Sequence, residues 1–439
     1  MPARKSNYFN YLPTSKDSGL NYILFFIVLI IACFLICRVP FIKKSGLGSR
    51  LIVALFLFKI AVGAAQAYIN ARFFPTSDTW GLNSISLTEY QLLLSDPSTF
   101  FSELVLSNYN GTGYDSLFGS YGSFWNDLEI NLLAKSLAPV NVISHGNYYI
   151  NSIFCNFFGF FGHIALYRVF SHIYKERRTA ILLGCFGLPT FLFVSSAIGK
   201  DNVAFTMLAM FCFALYFFTL SGFSLKKILW LLFFFLGLLL MRNHIALLLM
   251  PPAVAFYYSL RSKKNPWKVF GIMVIILLAL LVVLPMLIPA IDPGAVISQK
   301  QQDFIALGKA SSQIELTPLE PTTAGLFKNF PEAVNHGFLR PYLWEAKNGF
   351  MLIQALELIG MLVVCMISIF IAIKNGSILK THPFLLFCIM FCCLVFIMNG
   401  YIVPNSNTLV RYRSIYLPLL VIPALCNIWR YKYITLKNI

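Results

Sequence analysis

The sequence predicts an all-α membrane protein, a single polytopic domain of about eleven transmembrane helices over residues 1–439. Three observations carry this reading. Apolar residues make up 58% of the 439 positions and charged ones only 12%, against about 25% charged in ordinary soluble domains. The apolar residues gather into runs near the 20 or so that a helix needs to cross the hydrocarbon layer. Basic residues collect in the short connections between alternate runs, as the positive-inside rule requires.

Eleven runs qualify: 21–37, 50–69, 148–170, 179–197, 203–220, 226–241, 245–260, 269–290, 350–373, 383–399 and 414–429. No small-residue cleavage site follows the first, but Arg38, Lys43 and Lys44 do, so it reads as a retained helix rather than a signal peptide. Further basic clusters are Lys175, Arg177 and Arg178; Lys226 and Lys227; Arg261, Lys263, Lys264 and Lys268; Lys374 and Lys380; and Arg430, Lys432 and Lys437. They place the C-terminus in the cytoplasm and, with an odd number of spans, the N-terminus outside. Arg4, Lys5 and Lys16 run against that orientation. The formal charge of +17 is then a signature of orientation and calls for no nucleic-acid partner. All ten cysteines lie in apolar stretches and read as membrane-core residues, with no disulfide framework implied.

The outward connections are 70–147, 198–202, 242–244, 291–349 and 400–413. The two long ones form outer loops, and the first carries aromatic-rich amphipathic pieces at 90–106 and 123–137 suited to the outer membrane interface.

Charge close to an apolar layer is costly and needs a reason. Asp78, in Pro75-Thr76-Ser77-Asp78-Thr79-Trp80, is a candidate general base at the mouth of the bundle, or a plain helix cap. Lys200 and Asp201 sit in a near-loopless reversal, where Lys200 at a helix N-terminus offers an anion both a cation and unpaired N–H groups; alternatively the two pair with each other. Arg242-Asn243-His244 interrupts a long apolar stretch into arms of about 15 residues, roughly 22 Å each, which leaves the apex recessed. Arg242 there can grip a phosphate bidentately, with His244 beside it, unless both merely snorkel. Arg340 and Glu345 flank Tyr342 and Trp344; the two charges read as an ion pair or as substrate contacts, and the aromatics as interface anchors or, at Trp344, as a sugar-stacking face. Arg411 and Arg413 lie on the outer side, where orientation does not explain them. At i and i+2 they share a side only in an extended segment. Lys59 lies mid-span, to pair with a carboxylate or snorkel, and Glu357 sits in the outer half of the ninth run. Asn110-Gly111-Thr112 fits a glycosylation sequon. The cofactor is unknown, since no motif supports a divalent metal.

Together these residues suit a lipid-linked phosphate whose tail lies in the bilayer and whose head group meets cations at the surface. From Lys59 to Arg413, on Ser77-Asp78-Thr79, Ser195 to Asp201, Arg242-Asn243-His244, Arg340 to Glu345 and Asn407 to Arg413, the chain resembles bacterial multi-pass glycosyltransferases of the GT-C class. Their donors are sugars on polyprenyl phosphate. The resemblance implies a GT-C-like bundle in the bacterial cytoplasmic membrane, with a polyprenyl-phosphate-linked sugar, a glycan acceptor and membrane lipid as partners. It also implies that Asp78 activates the acceptor. The class places this acid after its first span, whereas Asp78 follows the second. Asp115, Asp127 and Glu129 are the choices for a second acid. The rival readings are a polysaccharide polymerase or ligase, a transporter or flippase, and a non-catalytic assembly protein.

Overall fold

The computed structural model describes residues 18–74, 77–105, 114, 116–118, 123–288, 292–306, 308 and 312–437. Arg4, Lys5, Lys16, Pro75, Thr76, Asp115 and the sequon at Asn110 lie outside these.

In chain order the helices are α1 (Ser18–Arg38), α2 (Pro40–Lys43), α3 (Ser49–Phe73), α4 (Asp78–Ser95), α5 (Pro97–Ser102), α6 (Phe124–Ser144), α7 (Tyr148–Ile173), α8 (Arg178–Phe186), α9 (Pro189–Ser195) and α10 (Lys200–Ser221). They continue with α11 (Leu225–Met241), α12 (Asn243–Ser262), α13 (Pro266–Leu287), α14 (Pro293–Ala306), α15 (Thr323–Leu339), α16 (Gly349–Lys374), α17 (Pro383–Ile402), α18 (Ser406–Ser414) and α19 (Leu417–Lys437). Short 3₁₀ turns cover Leu343–Glu345 and Ile378–Lys380. No strand occurs among the described residues, only two isolated bridges.

Eight of these helices are long and apolar enough to cross a membrane, and ten spans result if two bent pairs each count as one. In this the chain has the character of a multi-pass membrane protein. The bent pairs change two of the expected runs. Residues 179–197 split into α8 and α9, which meet at 59°. Gly187 and Pro189 stand at the break, and a proline removes the backbone donor that would continue the helix. The last run gains an oblique lead-in, since α18 meets α19 at 61°. Helix α11 has 17 residues, about 25 Å at helical rise.

The two long loops are largely helical. The expected piece at 90–106 is not one helix: α4 stops at Ser95 and α5 starts at Pro97. Asp96 makes the break, because its carboxylate accepts from the Thr99 N–H at 3.1 Å and from the Thr99 hydroxyl at 2.6 Å. These bonds, the hydroxyl first, hold the Asp96 carboxyl below the usual aspartate range. The piece at 123–137 lies in α6, capped by Ser123 and running on to Ser144. In the second loop, Thr322 caps α15 and Asn348 caps α16.

The chain folds as two compact units. One comprises residues 1–164 and 192–208, the other 165–191 and 209–439. In the first, aromatic and polar contacts tie the outer-loop helices to α3 and α7. Trp80 stacks on Tyr148 at 4.3 Å between centroids, and its indole N–H donates to the Ala67 carbonyl at 3.1 Å. In the second, α15 and α17 cross closely at glycines. A Cβ on Gly400 would run into the carbonyl oxygen of Ala333, and one on Gly337 into that of Phe396.

Candidate functional site

In the first unit, Asp78 opens α4 and Lys200 opens α10. The two helix starts are neighbours: a Cβ built on Gly199 would lie 4.0 Å from the Thr79 methyl. Tyr148 helps hold them, accepting from the Ile198 N–H at 3.4 Å. Lys200 does stand at a helix N-terminus, but its ammonium forms an ion pair with Glu129 of α6. The adjacent Asp201 is buried in the first turn of α10. A second ion pair, Lys135 to Glu89 at 3.2 Å, is buried between α6 and α4.

Lys59 neither pairs with a carboxylate nor snorkels. It is completely buried, and its ammonium donates to the Ser195 carbonyl at 2.5 Å and to the Ser196 hydroxyl at 3.2 Å. The reason is local. Between α9 and α10 the backbone is not helical, so Ser195 at the end of α9 has a carbonyl to offer. Asn156 adds a bond to the Ser196 carbonyl at 3.0 Å.

In the second unit, the break at Arg242 falls where the sequence places it. Arg242 leaves helical geometry at φ −151° and ψ 74°, and His244 sits in the first turn of α12. The Arg242 guanidinium is buried and lies over the Tyr412 ring, 4.3 Å from its centroid. Arg242, His244, Ile245, Asn399, Tyr412, Ile415 and Tyr416 line one crevice. Outside the lining, Phe304 of α14 packs its ring against Tyr412, with centroids 6.3 Å apart. One turn earlier stands Lys300, a charge close enough to act on His244; residues four apart share a helix face. Asn399 is 1% exposed, and neither its amide nitrogen nor its amide oxygen has a hydrogen-bond partner among the described residues. Burying such a group unpaired costs roughly 1–3 kcal/mol.

Arg411 and Arg413 do not point the same way, because the segment is helical, not extended. Arg411 is half-buried, whereas Arg413 is buried and donates from Nη1 to the Gly337 carbonyl at 3.0 Å. Glu357 lies within electrostatic reach of Arg413. It also accepts from the Thr190 backbone N–H at 3.0 Å and from the Thr190 hydroxyl. Arg413 thus ties α18 to α15.

Arg340 pairs with Glu345 at 3.3 Å, and Glu345 also caps the 3₁₀ turn by accepting from the Tyr342 N–H at 3.1 Å. Tyr342 stacks on Trp344 at 4.6 Å, with planes 14° apart, and Trp344 is 81% exposed. His336, one turn before Arg340, is buried in α15. Burial first, and the Arg340 charge second, push its imidazole below the ordinary histidine range. Glu332 at 3.9 Å pulls the other way and is outweighed, being too distant for a strong bond.

The structure therefore brings Arg242 and His244 together with the 411–413 segment, and separately Asp78 with Lys200 and Asp201. Sequence reasoning missed Lys300, Asn399 and Tyr412. An amide at the outer end of the 383–399 run was the available signal for Asn399; Tyr412 stood between two arginines that drew attention first. Among the described residues, no group of three or more His, Cys, Asp or Glu side chains is placed to hold a metal ion. Comparison of the chain with protein-family models, curated proteins and solved structures finds no match.

Proposed function

We propose that the chain is a GT-C-like membrane glycosyltransferase that moves a sugar from a polyprenyl-phosphate donor to a lipid-linked glycan or similar acceptor. The topology that goes with this reading has eleven spans in a bacterial cytoplasmic membrane, with the N-terminus outside, the C-terminus inside and the chemistry on the outer face. One observation carries it. A buried arginine, a histidine and an unpaired amide line one crevice beside a tyrosine in the second unit, with the charge of Lys300 within electrostatic reach of the histidine.

A phosphate ester needs such a set. Transfer breaks the bond between the anomeric carbon and the phosphate oxygen, and forms one to an acceptor oxygen. The phosphate departs with the electron pair, and Arg242 and Lys300 stabilise its growing charge. The acceptor proton goes to a general base, a role that the resemblance, and not the geometry of the crevice, gives to Asp78. Arg340 and Arg413 serve as structural braces, each already committed to Glu345 or to Gly337.

The exposed Tyr342–Trp344 stack favours a second reading, a polysaccharide polymerase or ligase, because a flat aromatic face accommodates the apolar faces of successive sugars. Membrane vesicles carrying the protein and fed lipid-linked sugar test both. One sugar added per acceptor supports transfer, and joined repeats support polymerisation. Flux of the lipid across proteoliposomes without covalent change points to a transporter. Asp78→Asn should abolish product while the protein still folds; full activity removes Asp78 from the mechanism.

A further inference from the structure

The buried amide of Asn399 asks for a particular ligand. A carboxamide presents one acceptor and one pair of donors side by side. Nearly all buried polar groups in proteins are paired, yet both ends of this one are without a partner at 1% exposure. Asn399 lines the same crevice as Arg242, His244 and Tyr412. It is held there by the close crossing of α15 and α17, which Gly400, the next residue, makes possible.

A phosphate alone does not complete this site. Its ionised oxygens only accept, so they satisfy the amide nitrogen and leave the amide oxygen unpaired. Two adjacent sugar hydroxyls satisfy both, one donating to Oδ1 and the other accepting from Nδ2. Arg242 and Lys300 supply the complementary charge for a phosphate on the same ligand. We infer that Asn399 is a specificity residue that reads a vicinal diol of the sugar attached to the phosphate, so that the crevice takes a glycosyl phosphate in preference to a bare lipid phosphate. This rests on the phosphate-binding reading above and adds the sugar to it.

As it stands the crevice is too narrow for a water molecule. A sugar enters only if the lining of the crevice parts around it, with the Arg242–Tyr412 stack kept. Opening would uncover the amide and the guanidinium together.

The test is direct binding to the full-length protein in nanodiscs. The probes are citronellyl phosphate and the same lipid phosphate carrying glucose, galactose or N-acetylglucosamine. The wild type should bind at least one glycosyl lipid about tenfold more tightly than the bare phosphate, the discrimination expected where buried polar groups are otherwise left unpaired. Asn399→Leu should erase that margin and leave bare-phosphate binding within about twofold, with its melting temperature unchanged or raised, since an apolar isostere removes the unpaired amide. Arg242→Ala should weaken both probes alike. If Asn399→Leu fails to fold, Asn399→Asp replaces it; the added negative charge should weaken both probes. Equal affinity of the wild type for all probes overturns the diol reading and leaves the phosphate reading standing. So does an Asn399→Leu variant that keeps the margin. No binding of any probe to the wild type overturns both.

Discussion

The guanidinium of Arg242 lies over the ring of Tyr412, 4.3 Å from its centroid. A planar delocalised cation stacks on an aromatic face in a way a compact ammonium does not. Arg242→Lys is therefore not a conservative change. It should keep a positive charge and lose the stack and the planar fork, lowering lipid-phosphate affinity by roughly tenfold, in line with about 1–2 kcal/mol for a partly desolvated cation–π contact plus lost bidentate geometry. Tyr412→Leu should produce a similar loss, and the double variant little more than either alone. Isothermal titration with a short polyprenyl phosphate decides it: additive losses would mean that the ring does not position the guanidinium.

Lys200 and Glu129 form an ion pair in which the carboxylate is 9% and the ammonium 27% exposed. Removing the cation strands a nearly buried carboxylate. Lys200→Met should destabilise the protein by about 1–3 kcal/mol, less than a fully buried pair would lose because the ammonium is partly solvated. Glu129→Gln in the same chain should recover most of that. Thermal melts in detergent of both singles and the double measure the coupling. A melting temperature for Lys200→Met equal to the wild type's would assign the pair no structural weight and return Lys200 to the list of anion contacts.

The contrast between Arg242 and Arg413 shows how far the sequence could be read. A charged tripeptide in the middle of an apolar stretch is legible, because no helix hides Arg242 in lipid without cost. Hydropathy likewise marks the long apolar helices, but it does not mark α2, α5, α14, α15 or α18. It fails where a proline bends a run, as between α8 and α9, because hydropathy has no direction. It also fails for pairing. Arg413 looks as available as Arg242 in the sequence, yet it is consumed by the Gly337 carbonyl, a contact set by two helices whose crossing has no pattern in either one. Lys59 shows the same blindness, since its acceptors lie 136 and 137 positions away. Asn399 was passed over because an amide carries no charge to mark it.

His336 gives the fold a dependence on acidity. Burial, then the Arg340 charge, holds its folded-state affinity for a proton below that of the unfolded chain. With the folded pKa depressed, the unfolded state binds more protons between the two values, so stability rises with pH there. The contribution is whole above the ordinary histidine value of about 6.5 and is lost as pH falls through and below it. Melting temperatures between pH 7.5 and pH 5 should drop for the wild type. In His336→Gln, which is neutral throughout, the drop should be smaller. Parallel curves for the two proteins would show that His336 does not couple folding to protons.

Gly337 and Gly400 set the height of the floor on which the crevice stands. Each faces a carbonyl oxygen of the partner helix so closely that any Cβ would collide with backbone: Gly400 with Ala333, and Gly337 with Phe396. Backbone cannot yield as a flexible side chain can, so α15 and α17 must separate. Overpacking of this kind costs about 1–3 kcal/mol and sometimes more. Gly337 also carries the acceptor for Arg413, and Gly400 adjoins Asn399. Gly337→Ala and Gly400→Ala should therefore lower the melting temperature, and wherever the protein still folds they should weaken lipid-phosphate binding without touching a ligand contact. Gly360→Ala, in α16 with open space around it, is the matched control and should change neither property. If the control falls as far as the other two, the loss reflects helix surfaces in general, and the close crossing of α15 and α17 has no special part in holding the crevice.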